Sequence, residues 1–150
     1  MSDNLLPSSQ ALGLGCDDVI DYLRPELNSE LRRVSTLGLA HIGDAVFELM
    51  VRTWLCVQGA STAKTLHGGT VEFVSAKAQA AAWLRISARL SDEEREVFKR
   101  GRNAHVNSVP RSSTYDEYHT ATGIEALFGY LYLKGQTQRL GELFDMIIDM

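Results

Sequence analysis

This sequence predicts an all-α fold, and three observations predict it. Apolar residues recur at helical spacing along most of the chain, strand-like alternation is confined to short β-branched runs, and the breaks between segments fall at helix caps, prolines and glycines. With 150 residues and no internal repeat, low-complexity tract or clear linker, one domain is expected. A chain of this size buries roughly 70% of the surface its unfolded form exposes, so it needs no disulfide or metal staple. The boundaries expected are an N-terminal extension over residues 1–30 holding a short helix, and a main domain over 31–150, giving about seven helices in all.

Taken in order, residues 1–15 read as loose, with Pro7, Ser8, Ser9, Gly13 and Gly15. Asp17 or Asp18 can cap a short helix through Leu23, which Pro25 breaks. Residues 30–57 carry long apolar periodicity and end near Gly59. Ser61 to His67 is expected to be a short helical piece closed by Gly68-Gly69, followed by an Ala-rich helix from Val71 to Leu90 with Val74, Ala78, Ala81 or Ala82, and Ile86 on its apolar face. Ser91-Asp92-Glu93-Glu94 is a capping box that starts the next helix, which Gly101 should disrupt near its end. A polar loop over 103–113 holds Pro110. Thr114 to Leu133 is the second long helix, stopped around Gly135, and Thr137 to Met150 is a last amphipathic one.

Composition sets the class. Apolar content of 45% and charged content of 23% are ordinary for a soluble globular protein. Cys16 and Cys56 lack metal-ligand spacing and are too few for a disulfide framework, so reduced thiols in the cytoplasm are expected. Residues 1–10 have neither the basic region nor the apolar run of a signal peptide, and Asp44, Glu48 and Arg52 interrupt the best candidate for a membrane span. The net charge of −4 is unevenly spread. Residues 52–111 hold ten Lys and Arg against five Asp and Glu, whereas the remainder holds five against fourteen. A basic middle of this kind can hold phosphates although the whole chain is acidic.

The chemistry concentrates on the two long helices. His41, Asp44, Glu48 and Arg52 follow one another at spacings of three, four and four, which stacks them on one face of a helix that is otherwise apolar. Tyr118, Thr122 and Glu125 form a matching stripe on the second. A carboxylate among core residues needs a partner, a proton or a metal. Gly43, Gly123 and Gly129 are poor helix formers, costing about 1 kcal/mol each relative to Ala, and point to two helices pressed together. Two explanations stand side by side at this point. The acids are structural, with Asp44 bonded to His41 or an arginine and Glu48 paired with Arg52, or Asp44 and Glu125 share a hard cation.

The segment Ile42-Gly43-Asp44-Ala45-Val46 with Glu48-Leu49 resembles the signature helix of ribonuclease III enzymes. Ala121-Thr122-Gly123-Ile124-Glu125-Ala126-Leu127-Phe128-Gly129 with Leu131-Tyr132-Leu133 resembles their second catalytic helix, in the same order and at a similar separation. Arg100-Gly101-Arg102-Asn103-Ala104 and Val74-Ser75-Ala76-Lys77-Ala78-Gln79-Ala80, with no double-stranded-RNA-binding domain following, look like the Mini-III subfamily. The likeness runs from about residue 34 to 145. In two places this chain departs from the larger enzymes, with Ala40 where they have Glu and Thr122 where they have Asp.

The resemblance implies a ribonuclease III-like catalytic domain over 31–150, acting as a twofold homodimer that hydrolyses phosphodiesters of double-stranded RNA and leaves 5′-phosphate and 3′-hydroxyl ends. It implies Mg²⁺ (with Mn²⁺ able to substitute) held by Asp44 and Glu125, which would be both the catalytic and the metal residues, with water and RNA phosphate completing the shell. His41, Glu48 and Thr122 would stand behind these ligands. RNA would be held by Lys64, His67, Lys77, Arg100, Arg102, Asn103 and Arg111, with a solvated charged surface as the ordinary alternative, weighing most for Lys64 and for the neighbouring Lys99. Phe47, Met50 and Trp54 would serve either the dimer interface or the core. By the same resemblance the substrate is the precursor of 23S ribosomal RNA, at the stem formed by its ends, with a ribosomal protein as a further partner and no membrane. The competing expectations are a catalytically inactive ribonuclease III-like RNA-binding module in ribosome assembly, and a helical dimer used only as a scaffold.

Overall fold

A computed structural model describes residues 21–25, 31–104 and 108–149, and every described element is helical. The helices are α1 (Thr36–Val57), α2 (Ala63–Val74), α3 (Ala76–Ile86), α4 (Asp92–Arg102), α5 (Tyr115–Leu133) and α6 (Thr137–Ile148), with short 3-10 turns at Leu31–Arg33 and Ser87–Arg89. Most of the expected N-terminal helix lies outside the described residues. Asp21 to Pro25 form a turn, in which Arg24 N–H donates to the Asp21 carbonyl.

The starts of the helices follow from side chains that satisfy their free N–H groups. Ser35, Thr62, Ser75, Ser91 and Thr114 each accept from the backbone N–H three residues on. At Ser91 the expected capping box is present, with the Glu94 carboxylate accepting from the Ser91 N–H at 2.9 Å. The ends of α1 and α5 are set by Gly59 and Gly135, whose φ values of 96° and 69° turn the chain out of the helix.

Three expected boundaries are corrected. Gly68-Gly69 does not close a helix, because α2 runs through it to Val74. Gly69 is packed instead, since a Cβ there would lie 2.8 Å from the Leu55 side chain of α1. The break falls at Ser75, which is extended (φ −62°, ψ 150°); its N–H still bonds back to Val71 while its hydroxyl opens α3. Gly101 likewise does not disrupt α4, which continues to Arg102; there the missing side chain lets α4 settle on Thr122 and Gly123 of α5.

α5 is the centre of the molecule and packs against α1, α3, α4 and α6. It is buried on all sides along Ile124 to Leu131 except at Glu125 and carries almost no polar face. Phe47 of α1 sits edge-on to Phe128 at 5.3 Å and to Phe144 of α6 at 6.0 Å between ring centres. With 0% exposure, Phe47 belongs to the core and not to an outer interface, and Met50 and Trp54 are half-buried against the same core. The outward apolar residues of α1 are Leu37, Leu49 and Val57. Arg139 of α6 closes the far side, donating to both oxygens of the buried Glu94 at 2.8 and 3.0 Å and to the Arg89 carbonyl. Among the described residues no helix is long and apolar enough to cross a membrane.

Candidate functional site

The site is built where α1 and α5 touch backbone to backbone. A side chain on Gly129 would lie 2.0 Å from the Leu39 carbonyl oxygen, so neither helix can carry one at the crossing. Asp44 follows Gly43 at that point, and Glu125 stands one turn before Gly129.

The two acids are brought together but sit differently. Asp44 is exposed as a residue, yet burial of its carboxyl raises its pKa; the charge of Glu48 adds to the rise and that of His41 opposes it. Glu125 is more enclosed. Burial pushes its carboxyl up to about 8, the negative charge of Asp44 adds to the rise, and a hydrogen bond from Gln79 opposes it. Among the described residues, neither Asp44 nor Glu125 has a cationic ion-pair partner. Among the described residues Asp44 is thus bonded neither to His41 nor to an arginine, whereas the Glu48–Arg52 pair of the structural explanation is present.

The neighbours are placed as follows. His41 is exposed, close enough for its charge to act on Asp44. Glu48 is held by Arg52, whose Nε and terminal nitrogen donate to one carboxylate oxygen at 2.9 and 2.6 Å. Thr122 is buried and its hydroxyl donates to the Tyr118 carbonyl at 3.0 Å. Among the described residues no cluster of three or more His, Cys, Asp and Glu could hold a metal.

Two neighbouring carboxyls of one sign, one of them enclosed, with no protein cation paired to them among the described residues, fit a hard divalent ion. Such ions take oxygen ligands, and Mg²⁺ in particular keeps several waters when only one or two carboxylates hold it. Burial raises both carboxyl pKa values, and at Glu125 the charge of Asp44 adds to the rise.

The candidate RNA-contacting residues are exposed but do not form one cluster. Lys64 and His67 lie on α2, and His67 lines a cavity of about 260 Å³ with Arg52, Cys56, Leu66 and Thr70. Lys77 is in the first turn of α3. Arg100 lines a second cavity of about 310 Å³ with Arg32, Glu93, Tyr130 and Lys134. Arg102 is paired with Asp116 at 2.7 Å, Asn103 caps α4, and Arg111 follows Pro110 in an exposed turn. His119 is buried, with Nδ1 3.0 Å from the Arg102 carbonyl, which makes it part of the α4–α5 packing.

One site residue escapes the sequence reading. Gln79 is completely buried and bonded toward Glu125. The signal was available, because Gln79, Ala82 and Ile86 form the buried stripe of α3, and an amide on an apolar stripe is out of place.

With that geometry in hand, the comparisons are specific. A family model described as "Ribonuclease III domain" matches residues 37–136. The chain is 43% identical over 117 residues to a Mini-ribonuclease 3 of Thermoanaerobacter sp. (strain X514), covering 78% of this chain and 82% of that protein. It is 38% identical over 122 residues to a Mini-ribonuclease 3 of Clostridium tetani, covering 81% of each. The crystal structure of protein FN1578 from Fusobacterium nucleatum superposes with a TM-score of 0.73 at 32% identity, covering 80% of this chain and 96% of that one.

Proposed function

This chain belongs to the ribonuclease III family, among its Mini-ribonuclease 3 members, and from that premise we propose how its own residues carry out the reaction. It is an endoribonuclease that acts on double-stranded RNA, and its family depends on divalent metal. We assign Asp44 and Glu125 as the catalytic, metal-holding pair, with Mg²⁺ as the ion and Mn²⁺ able to replace it. The observation that carries this is the meeting of Asp44 with the more enclosed Glu125, with no protein cation paired to either among the described residues. When bound, the ion supplies Lewis-acid activation of water and charge neutralisation at the scissile phosphate.

The remaining work falls to the chain. In hydrolysis a water oxygen bonds to phosphorus, the bond to the 3′ oxygen breaks, and that oxygen leaves with a proton; a 5′-phosphate and a 3′-hydroxyl result. No covalent nucleophile is needed. Glu125 must be ionised to act as a ligand, and its burial keeps bulk water from competing for it. Duplex RNA is recognised through phosphates and 2′-hydroxyls. Lys64, His67, Lys77, Arg100, Arg102, Asn103 and Arg111, drawn from α2, α3, α4 and the following loop, offer cations and amides suited to that.

The working form is a twofold homodimer in the cytoplasm, in which each protomer cuts one strand; Leu37, Leu49 and Val57 of α1 are outward apolar residues available to the contact. Residues 31–150 are the catalytic domain and 1–30 an extension. The substrate is the 23S ribosomal RNA precursor stem, presented with a ribosomal protein. The test is incubation of the protein and Asp44→Asn with duplex and single-stranded RNA, with and without Mg²⁺, followed by end analysis. Cleavage confined to duplex, Mg²⁺ and the unaltered protein is expected. Undiminished cleavage by Asp44→Asn would remove the assigned site, and duplex binding without cleavage by the unaltered protein would favour the inactive RNA-binding module.

A further inference from the structure

Gln79 has 0% exposure, on the stripe of α3 that faces the core. The two ends of its amide are used unequally. Nε2 lies 3.5 Å from the Val74 carbonyl, the outer limit of a hydrogen bond, and the amide is near enough to Glu125 to hold its pKa down against burial. Among the described residues Oε1 has no hydrogen-bond partner. With Glu125 ionised, as a cation ligand must be, exchanging the two ends would set an oxygen against two acceptors.

A buried acceptor without a donor is destabilising, a loss that Met or Leu of similar volume would avoid. Packing therefore does not account for an amide at this position. What does account for it is its neighbour. A carboxylate that binds metal is itself usually held by a hydrogen bond, because a freely rotating Glu would lose entropy on each binding event. Of the site's two acids Glu125 is the deeper, and Gln79 is the neutral polar side chain beside it.

We propose that Gln79 is a positioning residue for Glu125: its amide N–H fixes the carboxylate in the orientation that receives a divalent cation, and its free carbonyl oxygen accepts a hydrogen bond from water entering the site. This rests on the reading of Asp44 and Glu125 as cation ligands.

The test is Mn²⁺ binding to the full-length, metal-stripped protein without RNA, followed by the electron paramagnetic resonance signal of free Mn²⁺. The variants are Q79M, which keeps the volume, Q79N, which draws the amide back by one methylene, and E125Q as the ligand control. Both Gln79 variants should bind Mn²⁺ about 10–100-fold more weakly. In duplex cleavage they should lower kcat and leave KM for RNA unchanged. A purely structural glutamine would shift the melting temperature and leave the Mn²⁺ affinity where it was. Binding lost in E125Q but kept in the folded Gln79 variants overturns the role of Gln79 alone. Binding kept in all three overturns the carboxylate pair, and the positioning role with it.

Discussion

A Cβ placed on Gly43 would stand 1.6 Å from the carbonyl oxygen of Glu125. The backbone of the first signature helix thus lies directly on the residue that supplies the second acid. Gly129 completes the crossing from the other side, and Asp44 is delivered to Glu125 by this contact and not by any bond between their side chains. The closeness of the acids is a consequence of two absent side chains.

Gly43→Ala should therefore be severe. The clash is with backbone, so no rotamer change relieves it, and the helices must separate. A loss of about 3 kcal/mol or more is expected, at or beyond the upper end for overpacked cores. Gly68→Ala is the matched control, since nothing lies within 4 Å of a Cβ there and the site is a helix interior. It should gain up to about 1 kcal/mol. Urea denaturation of both variants measures this, and an unperturbed midpoint for Gly43→Ala would contradict the backbone contact.

Gly43 and Gly129 were legible in the sequence because a glycine in a strongly apolar helix has few uses other than close approach. Gly68-Gly69 misleads for the same reason, since local punctuation and packing against Leu55 look alike until α1 is in place. The cap at Ser91 depends on its own four residues and is read directly. The cap at Ser75 is hidden within an Ala-rich run that could continue as one helix. Phe47 could not be assigned to core or surface, because α1 is apolar on more than one side and only the positions of α5 and α6 decide. Asp44 and Glu125 stand out by chemistry, whereas Gln79 acquires meaning only through a neighbour on another helix.

The raised pKa of Glu125 predicts how stability depends on pH. In the unfolded chain this carboxyl titrates near its ordinary value of 4.5, and burial in the metal-free fold pushes it up to about 8. Between these values the folded state holds the extra proton, so stability falls as pH rises, by at most about 1.4 kcal/mol per pH unit from this group. Metal-free protein should thus melt at a higher temperature at pH 5.5 than at pH 8, after subtraction of the same comparison for Glu125→Gln, which lacks the group. Added Mg²⁺ should raise the melting temperature more at pH 8, where the carboxylate is available. A difference from Glu125→Gln that is flat across this window would show that the carboxyl is not enclosed as described.

Activity should respond in the opposite direction. A protonated Glu125 cannot serve as a ligand, so cleavage should decline as pH falls, and a higher Mg²⁺ concentration should move that decline to lower pH, because cation and proton compete for the same oxygens. Glu125→Gln should stop turnover or raise the Mg²⁺ requirement at every pH. Normal rates for it at low Mg²⁺ would exclude Glu125 from the site.

The basic residues divide by what already holds them. Arg100 is exposed beside a cavity with no ion-pair partner among the described residues, whereas Arg102 is tied to Asp116 at 2.7 Å. Arg100→Ala should weaken all duplexes about equally and lower the slope of log affinity against log salt by about 1, the signature of one lost phosphate contact. Arg102 can reach a phosphate only by leaving Asp116. An exposed pair of this kind is worth about 0–1 kcal/mol, so the exchange is easy. Asp116→Asn removes the competing carboxylate and should tighten duplex binding by up to about fivefold. Filter binding across a salt series compares the two. If Asp116→Asn weakens binding instead, the aspartate is holding Arg102 in its binding orientation, and the pair acts as a single recognition unit.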